Sequence, residues 1–151
     1  MRTISNNYTG RDLDLLILQG FDPNKQTNVE LSLGSGLVCA GIQKVAQEFI
    51  ILLLNGKGSN PWDPTRGTDF MSSIEKGLIY DETMLQAQFS FAVSDVFAYL
   101  EGKVGPEVPD DEILEDVELL EWDLRPGYIS IKVKLTTAAG DSSVFLVPVS
   151  I

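Results

Sequence analysis

The spacing of apolar residues changes along this chain, and that change limits its fold more than any other feature. Between Leu37 and Leu54, Val38, Ile42, Val45, Phe49 and Leu52 recur at steps of four, three, four and three, which puts them on one face of a helix. Toward the end of that segment Ile50, Ile51, Leu53 and Leu54 make nearly every position apolar, so the helix is expected to be enclosed by protein. Between Tyr128 and Leu135 the period is two. Ile129, Ile131, Val133 and Leu135 alternate with Ser130, Lys132 and Lys134, which predicts a strand with the first set inward and the second outward. A chain that holds the two periods in separate blocks is expected to fold as α+β.

The intervening residues fill in the order of elements. Asp12 to Leu18 begins by alternating, and Val29, Leu31 and Leu33 alternate with Glu30 and Ser32, so two short strands are expected around a turn at Asp22-Pro23-Asn24. Met1 to Gly10 is a polar start, and Gly34-Ser35-Gly36 breaks the second strand. Cys39 is expected in the first turn of the apolar helix, as an inert buried thiol. Asn55 to Asp69 is rich in Gly, Pro and Asn and reads as a loop of specified shape. Thr68 or Asp69 can cap a short helix reaching about Lys76, with Gly77 ending it. Thr83 and Gln86 have the spacing of a capping box, opening a helix with Leu85, Phe89, Val93, Val96 and Leu100 on one face. Gly102, Gly105, Pro106 and Pro109 make a linker. Val117, Leu119, Leu120 and Trp122 then predict a strand whose phase slips at Leu119-Leu120, as at a bulge. Arg125-Pro126-Gly127 reads as a turn and Ala138 to Ser142, around Gly140, as a hairpin loop. Val144 to Ile151 is the last strand; Pro148 cannot donate to a ladder, which predicts an edge. The expected architecture is one domain over 1–151. A short N-terminal β extension occupies 1–36. In a core of 37–151, a small C-terminal antiparallel sheet packs with two or three helices.

Composition removes several functions. The chain has 151 residues, enough for a sizeable core, with no histidine and one cysteine. Without histidine there is no Ser-His-Asp or Cys-His arrangement, nor the usual zinc or non-haem iron ligand set. A lone cysteine forms no internal disulfide and no CxxC pair. No metal and no cofactor is expected. The formal charge is −11, and it is local: from Glu101 to Asp123 ten acids stand against Lys103 alone. Nucleic acid is not expected as a partner of such a chain, since phosphate binding needs clustered Lys and Arg. No membrane segment is expected either: the first residues lack the apolar core of a signal peptide, and the longest apolar run, Phe49 to Leu54, is too short to span a bilayer.

The acidic stretch has four readings. Two carboxylates could serve glycoside hydrolysis, one as acid and one as nucleophile or base, but any two of ten could be named. Asp110, Asp111, Glu112, Glu115 and Asp116 could offer oxygens to calcium, though the EF-hand spacing and its glycine are absent. The other readings are a solvated linker and strand face, and an orienting face for a basic partner. The loop is not a phosphate cradle, because Gly67 is followed by Thr68 and Asp69 with no lysine. Within it Lys57 and Arg66 are ordinary surface charges or an anion contact, and Trp62 is either an anchor of the loop or a partner hot spot. An edge at Val144 to Ile151 could take a strand from another chain, or could be protected by Pro148.

The segment LLLNGKGSNPWDPTRGTDF carries a resemblance. An apolar helix running into Leu53-Leu54, then Gly58, Pro64, Gly67-Thr68 and Phe70, resembles the sheath-initiator family of contractile injection systems. That family includes the phage baseplate wedge protein W, its homologues in other contractile-tailed phages and the type VI secretion component. The resemblance covers about Leu37 to Ile151. It implies a non-enzymatic protein of the virion tail baseplate, assembled in the host cytoplasm and present in several copies in a symmetric assembly. It also implies that extended arms of the sheath protein add as strands to its sheet edge, beside other wedge and hub or tube proteins. On this reading the partner-binding residues are Trp62, Asp63 and Arg66 in the loop and Val144, Phe145, Leu146, Val147 and Val149 on the last strand. Two departures accompany it. The family's Glu-Pro-Arg triplet after the last helix is replaced here by Val108-Pro109-Asp110-Asp111-Glu112, so that contact is not carried over. The strands of Asp12 to Leu33 look like an addition to the core. Some members of the family have been linked to lysozyme activity, which keeps the glycoside-hydrolase reading as the alternative.

Overall fold

The computed structural model describes residues 14–15, 18–19, 30–31 and 38–150. The polar start, the Asp22-Pro23-Asn24 turn, the Gly34-Ser35-Gly36 break and Ile151 lie outside them. The architecture is α+β: the described residues form three helices and, at the C-terminal end, a three-stranded antiparallel sheet.

Among the described residues, four two-residue strands precede the first helix: β1 (Asp14–Leu15), β2 (Leu18–Gln19), β3 (Glu30–Leu31) and β4 (Val38–Cys39). β1 pairs antiparallel with β4 and β2 with β3. Cys39 is therefore in a strand, not in a helical turn. The helix α1 (Ile42–Leu54) starts three residues later, because Gly41 takes a positive φ of 64° that separates the strand from the first helical turn. The thiol is wholly buried. Burial, and then the charge of Asp14, push its pKa up to about 11, against an opposing pull from Lys44. The protonated thiol is the form the fold stabilises, in full below the pKa of an unfolded thiol; that stabilisation is lost as the pH rises toward about 11. At pH 8 iodoacetamide is expected to alkylate the folded protein at least about tenfold more slowly than the urea-unfolded chain. Equal rates would show that the thiol is accessible.

Val45, Phe49, Ile50, Leu52 and Leu53 of α1 are all buried, as its apolar pattern requires. A loop leads to α2 (Phe70–Glu75), for which Asp69 is the N-cap residue without a side-chain bond. Gly77, at φ 69°, follows its end. The long helix α3 (Glu82–Glu101) is capped by Asp81, whose carboxylate accepts from the Met84 amide at 2.7 Å. The expected Thr83–Gln86 capping box is displaced by two residues, since the extended backbone of Asp81 (φ −141°) points its carboxylate at the free amides of the first turn. Leu85, Phe89 and Val96 are buried, with Val93 and Leu100 packed at the margin of the core.

A 3₁₀ turn (Asp110–Glu112) precedes β5 (Leu114–Arg125), which pairs with β6 (Tyr128–Thr137), which in turn pairs with β7 (Ser142–Ser150). The phase slip at Leu119-Leu120 is a register shift between Leu119 and Glu121, and a second shift lies between Leu114 and Asp116. Because of the first shift, Val117 and Leu119 lie opposite Leu135 and Val133 while Trp122 and Leu124 lie opposite Ile131 and Ile129, all on one face. Helices α1 and α3 cover that face. Phe49 meets Phe145 with ring centroids 6.3 Å apart, and Phe70 meets Phe89 edge-on at 6.1 Å. On the opposite face Lys132 is more enclosed than its alternation implies. It is in the central strand between Glu121 and Leu146, with its stem covered and its ammonium 3.4 Å from the Glu121 carboxylate.

Candidate functional site

The loop of residues 55–69 is closed at its base by backbone bonds. Thr68 donates its amide to the Asn55 carbonyl at 2.9 Å, Lys57 donates to Thr68 at 3.2 Å, and Gly58 donates to Pro64 at 3.1 Å. The fully buried Thr68 hydroxyl donates to the Leu53 carbonyl at 2.8 Å, tying the loop to the end of α1. Farther out, Lys57 pairs with Asp95 at 2.9 Å and the Tyr99 hydroxyl donates to Asp63 at 2.9 Å, so the loop lies along the C-terminal half of α3. Bonds from the Thr65 and Tyr99 hydroxyls hold the Asp63 carboxyl below its ordinary pKa.

This corrects the reading of Trp62 as an anchor. Its side chain is 94% exposed, and the anchoring is done by Asp63 and Lys57, with polar groups rather than an indole. Arg66 is half-buried, and its Nε is enclosed without a hydrogen-bond partner. Trp62, Asp63 and Arg66 are thus brought together in one loop, with Trp62 outermost.

The acidic stretch is not uniformly solvated. The side chain of Glu112 is 7% exposed, and its two oxygens accept from the Gly41 amide at 3.2 Å and from Lys44 Nζ at 3.0 Å. Helix α1 has no acidic residue in its first turn and no side-chain cap of its own. Glu112 supplies both negative charge and an acceptor there, from 71 residues away. Pro109 and the 3₁₀ turn at Asp110–Glu112 aim it, and no local spacing in the sequence signals this role. Glu115, Asp116, Glu118 and Glu121 remain exposed. A cavity of about 1160 Å³ under the linker is bordered by Glu48, Glu101, Glu107, Glu112 and Glu115, with Lys44 and Lys103 among them. Lys103 stands 3.9 Å from Glu48. Among the described residues no group of three or more His, Cys, Asp or Glu is arranged to hold a metal ion, and no helix is long and apolar enough to cross a membrane.

Among the described residues β7 pairs with β6 alone, which puts the last strand at an edge. Which of its backbone groups are free follows from the hairpin. The Thr137 amide donates to the Asp141 carbonyl at 2.9 Å, so residue 137 turns its backbone toward β7. In an antiparallel ladder that orientation repeats every second residue. Leu135, Val133, Ile131 and Ile129 therefore bond to Ser143, Phe145, Val147 and Val149, and Ser142, Val144, Leu146 and Pro148 direct theirs outward. Of the five strand residues singled out from sequence, Phe145, Val147 and Val149 are buried in the core with their backbone engaged. Val144 and Leu146 are half-buried on the outer face and present both N–H and C=O to the edge. Pro148 faces the same way with a carbonyl only, so its missing N–H costs no internal bond. Comparison with protein-family models found no match, and neither did comparison with curated proteins or with solved structures.

Proposed function

We propose that this chain is a non-catalytic assembly protein that accepts an extended strand from another protein on the free edge of β7. The observation that carries this reading is the outward row of backbone groups at Ser142, Val144 and Leu146, on a strand whose inner face is locked into the core by Phe145 and Val147. Such an edge is a rigid template: the receiving strand loses little further entropy on binding, and the main-chain bonds are indifferent to side-chain identity. The resemblance of the Leu53–Phe70 segment to sheath initiators supplies the partner. The added strand is an arm of a contractile sheath protein, and the chain seeds the first sheath ring. It does so in several copies on a phage tail baseplate that assembles in the host cytoplasm, with other wedge and hub or tube proteins as neighbours. The local excess of acids argues against nucleic acid as a partner.

Val144→Pro tests the mechanism. It deletes an outward N–H and leaves the β6–β7 ladder intact, as Pro148 already does. The variant is expected to keep its melting temperature within a few degrees and to seed sheath polymerisation about tenfold less well. Seeding at the original rate by a folded Val144→Pro protein would defeat strand addition at this edge. A peptidoglycan-clearing assay addresses the glycoside-hydrolase alternative: activity lost on a double carboxylate substitution within 101–123 would displace the structural role.

A further inference from the structure

Among the described residues the sheet has a second free edge, and it differs in chemistry from the first. There β5 pairs with β6 alone. Since the odd-numbered residues of β6 serve β7, the even-numbered ones serve β5, bonding to Asp116, Glu118, Glu121 and Asp123. Val117, Leu119, Trp122 and Leu124 therefore turn their backbone groups outward, while their side chains lie on the helix-covered face. Directly beside that edge is a cleft of about 330 Å³, walled by the apolar Val117, Leu119 and Trp122 from β5 and Phe89 and Val93 from α3, with the polar Gln86 and Ser90 completing its lining. The charge on the strand nearest the edge is mainly negative, with Lys132 and Lys134 of β6 one strand further in. The two elements that wall the cleft carry Glu82, Asp95, Glu101, Glu115, Asp116, Glu118, Glu121 and Asp123 against the single base Arg125. Three of these acids are compensated: Asp95 by Lys57, Glu121 by Lys132 and Asp123 by Arg125.

We infer that the β5 edge and its cleft bind an extended segment of a partner protein in which apolar residues alternate with Lys or Arg. A strand laid along β5 continues the pleat, so every second side chain falls on the α3 side, where the cleft accepts an apolar group. The intervening side chains fall on the other face, beside Asp116 and Glu118, Glu121 being already compensated by Lys132. There a carboxylate or neutral side chain gains nothing, and a cation is attracted and oriented. The inference does not depend on the sheath reading, because it concerns the opposite edge of the sheet and different backbone groups.

The test uses the full chain, ¹⁵N-labelled, and a synthetic twelve-residue peptide of Lys alternating with Val or Ile. With free peptide at about ten times its dissociation constant, the Val117, Leu119 and Trp122 amides are expected to exchange hydrogen about tenfold more slowly, with Val144 and Leu146 unchanged. The same peptide with Glu in place of Lys is expected to bind at least about tenfold more weakly, and added salt to narrow that difference. Ser90→Tyr fills the mouth of the cleft from an exposed position and is expected to abolish binding, with the exchange of the β6 amides reporting that the sheet is intact. Protection confined to Val144 and Leu146, equal binding of the Glu peptide, undiminished binding by Ser90→Tyr, or no protection at all would each overturn the inference.

Discussion

Glu112→Ala is expected to lower the stability of the protein by about 3 kcal/mol, the cost of breaking a buried ion pair from one side. The substitution takes from the half-buried Lys44 ammonium a carboxylate 3.0 Å away, and removes the acceptor of the Gly41 amide. It also exposes the positive end of α1, whose first turn has no acid of its own. For a domain of this size the melting temperature should fall by roughly 6–12 °C. Glu112→Gln retains an acceptor but not the charge and should lie between the two. The double substitution Lys44→Met with Glu112→Leu should recover most of the loss, because replacing both charges removes the desolvation cost together with the attraction. Urea unfolding of the four proteins measures this. A loss below about 1 kcal/mol in Glu112→Ala would mean that the carboxylate behaves as an exposed one.

Gly67→Ala is expected to cost as much, about 3 kcal/mol, for a steric reason. A Cβ at this position would meet the Asn55 carbonyl oxygen at 2.5 Å, and the backbone φ of 105° is one that a side chain resists. The neighbour is backbone and cannot swing aside, because Asn55 accepts the Thr68 amide and Thr68 is fixed by its hydroxyl to Leu53. Gly58→Ala is the control. It has a similar positive φ of 80° but open space around it, so only conformational strain of about 1 kcal/mol is expected. If the two alanine variants unfold at the same urea concentration, the contact with Asn55 carries no weight. The loop bearing Trp62, Asp63 and Arg66 should loosen in Gly67→Ala, which trypsin cleavage after Arg66 would report.

These two positions differ in how far the sequence exposes them. Gly67-Thr68 is part of the spaced pattern that resembles sheath initiators, and its structural purpose is to stitch the loop to α1. Glu112 was one acid among ten, and nothing in its neighbours separates it from Glu115 or Glu118. What separates it is the position of Gly41 and Lys44, some 70 residues earlier in the chain and adjacent only after folding. Cys39 and the cap of α3 show the same limit on a smaller scale. The helical spacing holds from Ile42 onward, but Val38, the first residue of the expected stripe, is in β4; the first turn begins after Gly41 and the cap falls on Asp81, because helix ends are fixed by where the chain leaves its other contacts.

The sequence alone determined the α+β class, the apolar faces of α1 and α3, the clean alternation of β6, the bulge at Leu119-Leu120 and the edge position of the last strand. Each of these depends on residues within a turn or two of one another, where periodicity, proline and glycine act directly on the backbone. Only the tertiary structure decided which residues of β7 and β5 turn their N–H and C=O groups outward, that Glu112 caps α1, and that Trp62 stands clear of the domain while Asp63 holds the loop. Those depend on register and on contacts between distant segments. A shift of one residue in pairing reverses every face, and burial turns an ordinary carboxylate into a structural one.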